Sequence, residues 1–127
     1  RHQYSVAGTF TQWMPAGMVM DPEEPGIFRA FGRFGDQWSS SVGAFVEFFQ
    51  VCVEEDRDVA WYPTLDVSKP GDTITLGPDN GGKERNFIIT SPEPYMRFEV
   101  ILNLNVIDRR KIVTWNWMDH ALDDEEN

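Results

Sequence analysis

From Met96 to Val106 the chain alternates, with Met96, Phe98, Val100, Leu102, Leu104 and Val106 apolar and Arg97, Glu99, Asn103 and Asn105 polar between them. Side chains of an extended chain point to opposite faces at successive residues, so this period of two predicts a strand with one face in a core and the other towards water. After the polar turn Asp108-Arg109-Arg110, the run Lys111 to Trp117 is rich in β-branched and aromatic residues. The two runs together predict an antiparallel hairpin. Helical periodicity is absent from both.

Similar apolar runs at Tyr4–Phe10, Ile27–Phe34, Ala44–Val53, Asp72–Leu76 and Glu84–Thr90 predict five more strands. Between them lie Met14-Pro15-Ala16-Gly17, Asp21-Pro22-Glu23-Glu24-Pro25-Gly26, Ser68-Lys69-Pro70-Gly71-Asp72 and Gly77-Pro78-Asp79-Asn80-Gly81-Gly82, each with turn chemistry. About seven short strands punctuated by Gly and Pro, with no alternating helices, predict an all-β domain built as a two-sheet sandwich or barrel. The polar loop Gly35–Gly43, which carries Trp38, is longer than a tight hairpin needs and is read as a mobile or contact loop. Residues 1–118 are expected to form one domain and residues 119–127 an acidic tail.

Composition narrows the classes of partner. A chain of 127 residues with 41% hydrophobic residues and nine Phe, five Trp and three Tyr has enough apolar surface for one core. A net charge of −10 opposes binding to phosphate backbones, which excludes nucleic acid as a partner. Part of that charge is local: Asp119, Asp123, Asp124, Glu125 and Glu126 lie in the last nine residues. Cys52 is the single cysteine, so no internal disulfide or cysteine-rich zinc site forms, and its apolar setting predicts an inert packed thiol. No run reaches the roughly 18 apolar residues of a membrane span. A chain starting at Arg1 is accounted for equally by a processed organelle (plastid) protein and by a piece of a longer polypeptide.

One succession of segments resembles a known family. Tyr4-Ser5-Val6-Ala7-Gly8-Thr9-Phe10-Thr11-Gln12-Trp13 is followed by Met18 and Met20, Gly26-Ile27-Phe28, Phe49-Gln50-Val51-Cys52-Val53 and Trp61-Tyr62-Pro63. This is similar to the starch- and glycogen-binding modules of the immunoglobulin-like sandwich class, whose first strand reads V-x-G-S/T-F-x-x-W. The resemblance covers residues 4–90 and implies an antiparallel immunoglobulin-like β-sandwich of about seven to nine strands. Residues 91–117 then count as an extra C-terminal hairpin. It also implies a noncatalytic α-glucan-binding module in which Trp13 and Trp61 stack on successive sugar rings, Gln50 stands where the family often has Lys, and Asn80 or Asn86 supplies an amide. Independently of any family, a pyranose offers an apolar C–H face to an indole and a rim of hydroxyls to amides. The chain departs from the family pattern at Gln50, at the charged segment Glu54-Glu55-Asp56-Arg57-Asp58 where the family has a tight turn, and in the added hairpin.

A second reading stands beside the first. The same sandwich could serve as a structural or accessory subunit, with a vestigial sugar site, docking on other proteins through Trp38, Trp115, Trp117 and the acidic tail. Catalysis, metals and cofactors are not expected. The adjacent acids Glu54, Glu55, Asp56 and Asp58 suit a solvated turn, while His2 and His120 lie near the ends without an orienting partner. Asp119, His120, Asp123 and Asp124 lack the spacing of a calcium loop or the ligands of a zinc site. The stretch Gly77–Gly82 lacks the Gly-Lys-Ser/Thr ending of a phosphate loop.

Overall fold

The structure, a computed structural model, describes residues 2–118. The segment 119–127, with the expected acidic tail and His120, lies outside the described residues. The first half of the chain forms β1 (Tyr4–Gly8), β2 (Ala16–Gly17), β3 (Val19–Met20), β4 (Ile27–Arg33), β5 (Trp38–Ser39) and β6 (Ala44–Val53). The second half forms β7 (Asp56–Pro63), β8 (Val67–Ser68), β9 (Thr75–Asp79), β10 (Asn86–Ser91), β11 (Arg97–Asn103) and β12 (Val113–Met118). Two 3-10 turns, Thr9–Thr11 and Arg109–Lys111, interrupt them. The protein is all-β, with two sheets.

The first sheet is organised on β6, the longest strand. One of its edges takes β1 along Phe49–Val53 and β5 at Ala44–Phe45. The other edge takes β10 along Phe45–Phe49 and β7 from Val51 to Val53, and β9 pairs outside β7. β8 adds a parallel pairing to β10, so this sheet is mixed and not purely antiparallel. The second sheet runs β12-β11-β4-β3. Because side chains alternate, Phe49 and Val51 from β6 meet Phe28, Ala30, Phe98, Val100, Leu102 and Val113 from the second sheet in one core.

Several expectations change. The hairpin expected as an addition to a complete sandwich is half of the second sheet: β11 lies between β4 and β12, and Phe98, Val100 and Leu102 are fully buried. Glu54 to Asp58 is not a long charged turn. Val53 opposes Asp56, which leaves a two-residue turn with Glu54 in the left-handed region, and a strand unforeseen in the sequence, β7, follows. Gly77-Pro78-Asp79 belongs to β9 and not to the turn; an edge strand tolerates Pro78 because no ladder hydrogen bond is needed there.

Candidate functional site

Even-numbered residues of β6 face away from the core. On that outer face Ala7, Cys52 and Ala60, from three adjacent strands, form a floor of small side chains. The chain leaving β1 turns through Thr9–Thr11 and lays the half-buried Trp13 on this floor. Gln12 and Trp13 both adopt positive φ, 54° and 61°. A bulky side chain in the left-handed region costs on the order of 1–3 kcal/mol, a strain that in folded proteins concentrates at sites that use it. The Trp13 N–H donates to Gly8 O at 2.8 Å and the Met14 N–H to Thr11 O at 3.1 Å, which hold the turn. Arg57 of β7 lies over the indole, 5.0 Å from its centroid, and donates to Trp13 O. Beneath it, burial pushes the Cys52 thiol above its ordinary pKa, so it stays protonated and unreactive.

Opposite Trp13 stands the segment between β9 and β10. β10 leaves the edge of β6 at Phe49 and β7 joins it at Val51, so a gap opens in the ladder at Gln50. Gln50, 5% exposed, fills it by donating both amide hydrogens to main-chain carbonyls, to Gly82 O at 2.6 Å and Arg85 O at 2.7 Å. Tyr62 fixes the same segment from below. Its hydroxyl donates to Asp79 Oδ1 at 2.6 Å, and Gly82 lies so close to its ring that an added Cβ would sit 2.6 Å from Cδ1. Glu84 in this turn is again at positive φ, 62°.

Between Trp13 and this segment lies a cavity of about 580 Å³, a size usual for small-ligand clefts. The structure brings Trp13, Gln50, Asn80 and Asn86 together around it, joined by Arg57, Asp58, Lys83 and Glu84. Asn80 is exposed on the turn and Asn86 half-buried at the start of β10. Among the described residues neither side-chain amide has a hydrogen-bond partner, so both are available to a ligand. With Asp79 the wall carries two cations, Arg57 and Lys83, and three carboxylates, Asp58, Asp79 and Glu84.

Trp61 is not at the cavity. It opposes Val51 on the inward face of β7, 5% exposed, with Tyr4 packed against it at 5.7 Å, so the expected second platform is a core residue. Gln50 is likewise corrected, from an amide aimed at hydroxyls to one whose donors are already committed. Sequence reasoning missed Arg57, Lys83 and Glu84, since the pairing of β7 with β6 is what carries Arg57 over the indole. Trp38 is 54% exposed and packs edge-on against Phe45. Trp115 is half-buried against the core, and Trp117 donates its indole N–H to Thr90 O across the two sheets. Among the described residues no group of three or more metal-ligating side chains assembles, and no helix is long and apolar enough to cross a membrane.

The Tyr62–Asp79 pair links the site to pH. The tyrosine hydroxyl and the Gly81 N–H hold the Asp79 carboxyl below its ordinary value, while the carboxylate pushes the Tyr62 phenol up. Asp79 therefore contributes stability above about pH 4 that is lost as pH falls through its lowered value. Tyr62 contributes below about pH 10, and that part is lost as pH rises through its raised value. Tyrosinate absorbance should show a component titrating above about pH 10 that disappears in Tyr62→Phe. Its persistence in the variant would assign it to another tyrosine.

No family model, characterised protein or solved structure matches this chain.

Proposed function

We propose that the protein is a noncatalytic carbohydrate-binding module whose ligand, an α-glucan, lies in the cavity between Trp13 and the Asn80–Asn86 segment. The observation that carries this reading is the convergence on one cavity of an indole held in a strained backbone conformation and two uncommitted amides. In this reading a sugar ring stacks on Trp13, displacing the guanidinium of the exposed Arg57 to its hydroxyl rim, while Asn80 and Asn86 hydrogen-bond the hydroxyls. Gln50 and Tyr62 position the amide-bearing segment and do not touch the ligand. Of Glu54, Glu55, Asp56 and Asp58 only Asp58 lines the cavity, where Asp79 and Glu84 join it, and His2 is paired with Glu54 away from it. The immunoglobulin-like ancestry of the fold belongs to the same proposal.

Titration calorimetry with β-cyclodextrin and maltoheptaose tests it. The wild type should bind saturably, and Trp13→Ala, shown folded by circular dichroism, should bind about tenfold or more weakly, equivalent to about 1.4 kcal/mol of lost stacking. Absence of heat from the wild type at millimolar sugar would remove the glycan reading and favour the docking subunit.

A further inference from the structure

The edge of a β-sheet is a row of unpaired N–H and C=O groups, which proteins blunt with very short strands, proline, charge or a covering segment. Among the described residues β2, β3, β5 and β8 are two residues long, and β9 carries Pro78. β12 has none of these protections. It spans Val113–Met118, pairs among the described residues on one side only, with β11, and its sequence Val-Thr-Trp-Asn-Trp-Met has neither charge nor proline. Alternate residues therefore direct their backbone groups away from β11. Trp117, 47% exposed, and Trp115 lie on one face of this strand with ring centroids 5.5 Å apart.

We propose that β12 pairs antiparallel with β12 of a second copy of this chain, joining two second sheets into one. A two-fold axis normal to the sheet keeps both cores on the same side, and this requires opposed residues of equal parity. The register centred on Asn116 sets that residue against Asn116 of the partner subunit. It also sets Trp115 against Trp117 of the partner subunit, twice over, burying the exposed part of each Trp117 in a cluster of four indoles.

Charge favours a second copy over another occupant. Arg109, Arg110 and Lys111 lie exposed just before β12, Arg110 ion-paired with Asp108 and Arg109 donating to Thr75 O and Gly77 O, and Asp119, Asp123, Asp124, Glu125 and Glu126 follow β12 in the sequence. Antiparallel pairing in this register sets Met118 of each copy opposite Thr114 of the partner subunit, close to the basic start of that strand; parallel pairing would set basic start beside basic start. One strand and two indoles per copy bury less than the roughly 1,200 Å² of ordinary stable interfaces, so the dimer is weak and salt-sensitive.

Sedimentation equilibrium on the whole chain should show a monomer–dimer equilibrium with Kd on the order of 10–100 µM, weakening several-fold as salt rises from about 0.05 to about 0.5 M. Asn116→Lys sets two ammonium groups opposite each other on the axis and should weaken dimerisation at least about tenfold, with an unchanged circular dichroism spectrum. Asn116→Cys should oxidise readily to a covalent dimer, because directly opposed Cβ atoms lie about 4.5–5.5 Å apart, while Ile107→Cys on an exposed loop should not. A wild type that stays monomeric to about millimolar concentration overturns the proposal and leaves the edge to a strand of another protein. A dimer unchanged by Asn116→Lys also overturns it, by placing the interface elsewhere.

Discussion

Phe98→Ala is expected to destabilise the protein by about 3–5 kcal/mol, a large part of the roughly 5–15 kcal/mol that holds a domain of this size folded. The ring is fully buried and meets Phe10 and Phe34 edge-on at 4.9 and 5.1 Å. Opposite it in the ladder stands Gly32, where an added Cβ would come within 2.6 Å of the Phe98 ring, so the ladder partner has no side chain to fill the space left by Ala. Denaturant unfolding measures the loss. The result also discriminates between two architectures. If the C-terminal hairpin were appended to a complete sandwich, the substitution would free the hairpin and leave a cooperative transition for the remainder near the wild-type midpoint. As half of the second sheet, it should shift the whole transition, with all probes moving together.

How much of this was legible in the sequence depended on the range of the interaction. Ala44–Val53 is a strand with the bounds its apolar run predicts, and the 96–117 hairpin pairs as its alternation implies, because period two is a local property of the chain. The role of that hairpin was not legible. The pairing of Phe98 with Gly32 spans dozens of residues, and no local pattern encodes it. β7 was hidden because its first residues, Asp56, Arg57 and Asp58, are charged and exposed; only after Val59 does burial begin. The two Trp candidates separated for a reason of parity. Trp61 and Ala60 are neighbours on β7, and the register Val51↔Trp61 turns the indole inward and the methyl outward. Trp13 lies beyond any strand, and its left-handed backbone, unusual for so large a residue, is what brings it over the outer face. The four short strands contain too few residues to show a period.

Gln50→Leu is the sharper test of how the cavity is built. The substitution keeps the buried volume nearly constant but withdraws both donors from Gly82 O and Arg85 O, which lie 32 and 35 residues away in sequence at a position where neither β7 nor β10 continues the ladder. Gly82 O keeps the Arg85 N–H, so Arg85 O is the carbonyl left unpaired, and a loss of about 1–3 kcal/mol is expected, less whatever water recovers by entering the gap. The opening should be local first. The Arg85 N–H, now bonded to Gly82 O at 2.9 Å, should exchange with solvent faster in the variant, while amides of β11 keep nearly wild-type protection. Glucan binding should weaken although the Trp13 platform is untouched, because Asn80 and Asn86 lose the frame that aims them. Two outcomes would contradict this assignment. Unchanged exchange around Gly82–Arg85 with binding abolished would make Gln50 a direct ligand, as the resemblance to the starch-binding modules implied. Faster exchange with full binding would mean that the amide-bearing segment is not part of the site, and would leave Trp13 alone to carry it.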